Sequence, residues 1–400
     1  MKTATRKTQA SWVATTVGEV VDISTGGTPN TQHKEYWNGD IPWMSSGEVN
    51  LRRVRDTEKR ITKLGLDNCN SAVFPKGTVM LALAGQGSTR GKVAMLEIES
   101  ACNQSLAALH SKNESQLLNA YIFYNLESRY AELRNINSNA GRAGLNLALI
   151  RRIPIKFPQL DAQRKITDLL FAVDQEVAAI DEIVQATEKL KRGLMEKFLE
   201  RGKEWPMLNL GDIAHITRGG SPRPIEDFIT DDSDGLNWLR IGDIKSGAKY
   251  ITHTSQKIKK SGLSKTTLIH PGDFILSNSM SFGRPYIMQT DACIHDGWLA
   301  FKNIKADLVD AEFLYYLLSS RHMQKAFWGI AAGSGVKNLK RESVSNLTIA
   351  LPPIKEQKNI AKILSALDAK LTTNREIKAQ LLKLKKGLTS DLFSSKRTAI

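Results

Sequence analysis

Twice along the chain, short alternating apolar runs give way to a long helical period, and the second long period repeats the first. Ile166, Leu170, Val173, Val177, Ile180, Val184 and Thr187 recur at steps of four and three. That spacing is the narrow seam of a helix facing one partner helix, rather than the broad face of a helix on a globular core. Leu169, Ile183 and Leu190 are expected to widen the stripe. The same register returns at Ile360, Leu364, Leu367, Leu371, Lys378, Leu381 and Leu388, interrupted at Asn374. No Pro or Gly breaks either segment before Gly193 and Gly387. Each therefore predicts one helix of about forty residues, roughly 60 Å long at 1.5 Å per residue.

The matching register belongs to a duplication. Pro158, Gln163, Ile166, Leu170, Asp174, Leu190, Lys191, Gly193 and Leu194 recur as Pro352, Gln357, Ile360, Leu364, Asp368, Leu384, Lys385, Gly387 and Leu388. The repeat extends into the preceding sequence. Val17-Gly18-Glu19-Val20 corresponds to Leu210-Gly211-Asp212-Ile213, and Ile23–Pro29 to Ile216–Pro222 with its Gly-Gly-Thr/Ser-Pro turn. Trp43 and Gly47 correspond to Trp238 and Gly242, and Gly77–Leu81 to Gly272–Leu276. An internal repeat of this kind sets the architecture before any local assignment.

Within each globular part, short β-branched runs bounded by Gly, Pro, Asn and Ser predict strands at Val20–Ile23, Val79–Leu81, Ile213–Ile216 and Phe274–Leu276. Helical patterns lie near Leu117–Arg134 and Ala311–Phe327. The Gly-Gly turn is read as structural, with glycine supplying positive φ. The predicted fold is α+β: two tandem-duplicated globular domains, residues 1–157 and 205–351, separated by helical regions at 158–204 and 352–400. From Gln159 to Glu204 there are eight Lys/Arg against ten Asp/Glu, and from Lys355 to Ile400 eleven against four. Opposite charge balance favours pairing of the two helices with each other, as an antiparallel coiled coil.

Composition narrows the function. A formal net charge of +15 over 400 residues points to a polyanionic partner, most simply nucleic acid. Cys69, Cys102 and Cys293 are scattered, without CxxC or nearby His, so neither a disulfide framework nor a zinc site is expected. The basic start lacks an apolar stretch after it, and the longest apolar run, Val79–Ala84, is far too short to span a bilayer. A cytoplasmic protein with no membrane partner is expected.

The chemistry-bearing motifs fail one by one. Gly85–Lys92 resembles a phosphate loop, but Gln86 stands where glycine is needed and Val93 where Ser or Thr is needed. No GxSxG, HExxH or paired-carboxylate pattern occurs. His295-Asp296 suggests acid–base work, yet its counterpart Asn103-Gln104 could not perform it. The expectation is a non-catalytic protein. Candidate phosphate or base contacts are Arg52, Arg53, Arg55, Gln86, Ser88, Arg90 and Arg142 in the first half. In the second they are Arg218, Arg223, Asn278, Ser279, Arg284, Lys337 and Lys340. Arg suits guanine edges, Asn and Gln adenine, and Lys phosphate.

The duplicated Gly-Gly-Thr/Ser-Pro and Trp…Gly segments, the paired Pro-x-x-x-x-Gln-x-x-Ile helix starts and the Leu-Lys-Arg/Lys-Gly-Leu helix ends occur in one order in both halves. In this the chain resembles the specificity subunit of a type I restriction-modification system, over nearly its whole length. The resemblance implies that residues 1–157 and 205–351 are target recognition domains and that 158–204 and 352–400 are the central and distal conserved helical regions. It implies binding of double-stranded DNA with a bipartite, asymmetric target. It also implies recruitment of modification (methyltransferase) subunits and, through them, restriction/translocase subunits. S-adenosylmethionine, ATP and Mg are expected on those partners and no cofactor on this chain. The competing readings are a coiled-coil scaffold that does not bind DNA, and a nucleic-acid-modifying enzyme acting alone.

Overall fold

The computed structural model describes residues 12–85, 87, 89–136, 144–199, 205–244, 247–278, 283–332 and 338–393. The chain divides into two compact units, Met1–Ile180 with Glu376–Ile400, and Asp181–Arg375. Each contains one globular part and a stretch of both long helices.

In the first unit a five-stranded sheet runs Val21–Thr25, Leu106–Ser111, Val79–Ala82, Val93–Leu96, Arg53–Val54, antiparallel except for the last pair. The two-residue period of a strand splits its side chains between two cores. Val79 and Leu81 join Tyr121, Ile122 and Phe123 on the helical side, while Met80 and Ala82 join Met44, Val54 and Leu106 on the other. Burial on both faces explains why this run is continuously apolar rather than alternating. The second unit repeats the sheet as His215–Arg218, Trp298–Lys302, Phe274–Ser277, Pro285–Met288, Tyr250–Ile251, with the same senses. A smaller sheet differs: three strands in the first unit, five in the second, which adds Ile229–Thr230 and Thr267–Ile269.

Two sequence expectations change. Val17–Val20 and Leu210–Ile213 are single helical turns, so the strands begin only at Val21 and His215. At the second, Asn209 and Asp212 form a capping box that satisfies the first-turn N–H groups, overriding the β-branched composition. The expected helices each split in two, into Asn119–Ser128 with Tyr130–Asn135 and Ala311–Ser319 with Arg321–Ala332.

The long helices span Leu160–Leu199 and Ile354–Phe393, 40 residues each. The predicted seam is observed: Ile166, Leu170, Val173, Ile180 and Thr187 are buried and Val177 and Val184 partly so. Leu169, Ile183 and Leu190 do not widen it, since all three are exposed. Within each unit the two helices run antiparallel. In the first, Leu392 packs in one cluster with Ile166 and Leu170, and Lys385 meets Asp174. In the second, Leu199 shares a cluster with Ile360 and Leu364, and Lys191 meets Asp368.

The start of each long helix is locked to its globular part by a buried glutamine. Gln163 accepts a hydrogen bond from Leu118 N and donates to the carbonyls of Gln116 and Pro158. Gln357 repeats all three, with Asp310 N and the carbonyls of Leu308 and Pro352. Both side chains are fully buried.

Candidate nucleic-acid interface

In each unit several loops leave the large sheet at one end. In the first, the strand ending at Thr25 leads into the Gly-Gly turn, and its register partner Ala107 sits just after the Asn103–Ser105 turn. Ala82, paired with Leu106, opens the loop that closes at Val93. The segment before Leu147–Arg151 reaches the same place, since Leu145 N donates to Leu83 O at 3.0 Å. In the second unit, Leu339 N donates to Asn278 O at 3.3 Å and completes the equivalent cluster.

The Gly-Gly turn is required by close approach and not by the expected positive φ. A Cβ on Gly26 would lie 1.9 Å from Cys102 O, and one on Gly219 2.1 Å from His295 O. Neither turn's glycines are among the positive-φ residues. Gly27 N donates to Cys102 O and Gly220 N to Ile294 O, so both turns are pinned to the neighbouring strand alike.

Side chains then diverge on this shared backbone. In the first unit the Thr28 hydroxyl donates to Gln104 Oε1 and the Thr25 hydroxyl to Gln104 O. In the second, the Ser221 hydroxyl donates to Asp296 Oδ1 at 3.1 Å and Arg218 Nε to Asp296 O at 3.0 Å. Asp296 Oδ2 lies 3.9 Å from Arg218 and 3.7 Å from Arg223. His295 accepts from Gly297 N at Nδ1, and burial lowers its pKa, so the ring is neutral with its proton on Nε2. Its ring packs between Trp238 and Trp298. Asn278, 1% exposed, donates to Asp296 O, and its Oδ1 has no partner among the described residues.

The predicted contact residues sort into three groups. Arg218, Arg223, Asn278, Arg284 and Lys340 cluster at the loop end of the second unit; Arg284 and Lys340 are exposed. Arg90 lies at the corresponding end of the first unit, where its guanidinium bonds to Arg134 O and Arg134 in turn bonds to Gly87 O. Gln86, Ser88, Arg142, Ser279 and Lys337 lie outside the described residues.

Arg52, Arg53 and Arg55 are held elsewhere, by carboxylates. Arg52 forks onto Glu127 at 2.5 and 2.9 Å and reaches Asp174 at 2.9 Å. Arg53 contacts Glu97 and the Tyr124 hydroxyl and stacks on Phe171 at 4.5 Å, and Arg55 shares Glu97. This network, with Tyr124 and Lys385 also bonded to Asp174, ties sheet edge to helix. The sequence carried one sign of it: Asp and Lys repeat at the same helical positions, 174/368 and 191/385, where solvated charges would be free to vary. The partners Glu97 and Glu127 had no such mark.

Among the described residues no group of three or more His, Cys, Asp or Glu is placed to hold a metal. No described helix is long and apolar enough to cross a membrane. The buried Cys102 and Cys293 thiols are pushed up to about 12 and about 11 by burial.

Comparison with known proteins agrees with the duplicated architecture. The family model for the type I restriction modification DNA specificity domain matches residues 10–189 and 202–383. The MjaVIII type I restriction enzyme specificity subunit of Methanocaldococcus jannaschii is 22% identical over 418 residues, covering 96% of this chain and 92% of the relative. The putative MjaX specificity subunit of the same organism is 23% identical, covering 99% and 96%. Among solved structures, the type I restriction-modification S subunit from M. genitalium superposes with a TM-score of 0.64 at 14% identity, covering 98% of both chains. A chain from a study of complex assembly and conformational transition of the type I R-M system gives 0.57 at 18% identity, covering 96% of this chain and 97% of that one. With both halves matched in the order and extent of the repeat, the chain belongs to the type I restriction-modification DNA specificity subunit family.

Proposed function

We propose that the chain selects the DNA sequence on which a type I restriction-modification complex acts, each unit reading one half of a split, asymmetric target. The observation that carries this reading is the shared loop end of the two sheets. The same Gly N–H bond pins the turn in both units, while the side chains around it are Thr25, Thr28 and Gln104 in one and Arg218, Ser221, His295 and Asp296 in the other. Hydrogen-bonding groups of different type on one scaffold are what two unlike half-sites need. The chain itself does no chemistry in this reading. Transfer and cleavage belong to modification and restriction subunits, which would bring S-adenosylmethionine, ATP and Mg, and the complex works on DNA in the cytoplasm. The scaffold alternative has no use for two differently equipped loop ends.

The test is co-expression of the chain with its modification subunits, followed by mapping of methylated bases across genomic DNA. A two-part motif with a fixed gap is expected. A stable complex that methylates no split motif, and whose DNA affinity is insensitive to salt, would favour the scaffold instead.

A further inference from the structure

The geometry at Asp296 points to a specific base. We propose that Arg223, aimed by Asp296, reads a guanine in the half-site taken by the second unit; this rests on the DNA-selecting role proposed above.

The site has more donors than it can use internally. One carboxylate faces two guanidiniums, each with five N–H groups. Its Oδ1 is taken by Ser221, and Oδ2 stands 3.7 Å from Arg223, close enough to attract but beyond hydrogen-bond length. Arg218 is fixed by the Asp296 carbonyl, whereas the Arg223 side chain is 80% exposed. The site therefore keeps a net positive charge, with the Arg223 guanidinium facing Asp296 and uncommitted. Pro222, Pro224, Ile225 and Trp238 wall an open recess of about 600 Å³ beside it.

A guanidinium fork matches two adjacent acceptors, and in the major groove guanine alone offers them, at O6 and N7. Adenine places a donor at the first of these positions and so repels the fork. A phosphate is disfavoured because Asp296 would lie against it, whereas a neutral base edge tolerates the carboxylate. The first unit supplies an internal contrast. At the positions of Arg223 and Asp296 it carries Asn30 and Gln104, on the same pinned turn, and amides suit adenine rather than guanine. The Gly-Gly segments are pinned alike, but the chain differs just beyond them, with a cis Arg223–Pro224 peptide where the first unit has Asn30–Thr31, and the side chains there are opposite in preference.

The experiment uses the full chain in complex with its modification subunits, comparing wild type, Arg223→Ala and Arg223→Lys by methylated-base mapping and by methylation of duplexes mutated one pair at a time. Wild type should show a required G·C pair in one half-site. Arg223→Ala should make that single position degenerate, with discrimination falling about tenfold or more, while the other half-site and the gap stay unchanged. Arg223→Lys keeps the charge but not the fork and should lose discrimination too. Unaltered specificity in Arg223→Ala, or uniform weakening on every sequence, would overturn the assignment, the latter marking a phosphate contact. If the wild-type complex methylates no split motif, the DNA-selecting role fails first and this assignment with it.

Discussion

The two units fasten their helices to their sheets with the same three side chains and different surroundings. In the first, Asp174 accepts from Tyr124, Lys385 and Arg52. In the second, Asp368 accepts from Tyr316 and Lys191. The place of Arg52 falls to Lys249, since Met95 N bonds to Arg52 O as Ile287 N bonds to Lys249 O. Lys249 turns instead to Glu312, Tyr316 and Ser365. An ammonium is a compact charge without the planar fork that let Arg52 hold Glu127 and Asp174 at once. In the second unit an open cleft of about 1340 Å³ lies beside Lys249, Tyr315, Tyr316 and Asp368. The Asp174 side chain is 9% exposed against 30% for Asp368. Positions that repeat are the fastening; positions that do not set how tightly it closes.

Removing the aspartates should separate the two most strongly. Asp174→Ala leaves Lys385 and Arg52 with Glu127 as their one shared carboxylate and removes an acceptor that is itself only 9% exposed, and should cost about 2 kcal/mol. Asp368→Ala, in a wetter site, should cost about 1 kcal/mol. Hydrogen exchange within each unit measures the two separately, and equal losses would sink the distinction. The pH dependence follows from the same cluster. Burial raises the Asp174 pKa, but the hydrogen bonds and charges of Arg52 and Lys385 outweigh it and hold the carboxyl below its ordinary value. Its contribution is therefore full above the unfolded value near pH 4 and is lost as pH falls through the lower folded value. The difference between wild type and Asp174→Ala should narrow below about pH 4.

The glutamine locks predict the opposite outcome, equality. Gln163→Leu leaves one N–H and two carbonyls unpaired, the Pro158 carbonyl buried and the other two groups partly so, a cost of about 2 kcal/mol. Gln357 makes the same three bonds in an equally buried site, so Gln357→Leu should match it. A gap of more than about 1 kcal/mol between them, read by chemical denaturation, would mean that the local packing and not the bond set determines the cost.

These contrasts show what the sequence could carry. The four-three seam and the repeated Gln, Asp and Lys were legible because a helix writes its contacts at a fixed local spacing. The carboxylate partners of Arg52 and Arg53 are hidden for the opposite reason. Glu97, Glu127 and Asp174 lie 44 to 122 residues away from the arginines and share no spacing rule with them. The turn at Ile213 was misread because a capping box of two side chains decided it against the β-branched run. Asp296, in contrast, stood within reach, since its aligned counterpart Gln104 differs in charge while the turn opposite is retained. A charge change beside a retained turn is the mark of a reading position.

The smallest test exchanges one surrounding residue between units. Phe171 lies at the helix position of Ser365, and Arg53 stacks on its ring at 4.5 Å while also lying over Phe123 at 5.7 Å. Phe171→Ser gives the first unit the second unit's residue. It removes one of two aromatic faces from a guanidinium whose bonds to Glu97 and Tyr124 remain, so the loss should be about 1 kcal/mol. The hydroxyl it introduces has no counterpart of Glu312 to bond, and Arg52, in the place of Lys249, is already committed to Glu127 and Asp174. If closure of the first unit depends on its arginines, Phe171→Ser should leave Asp174 protected and the cost of Asp174→Ala unchanged. If it depends on the ring, the double variant should cost less than the two single changes added together, and the first unit would then respond to pH as the variant without Asp174 does.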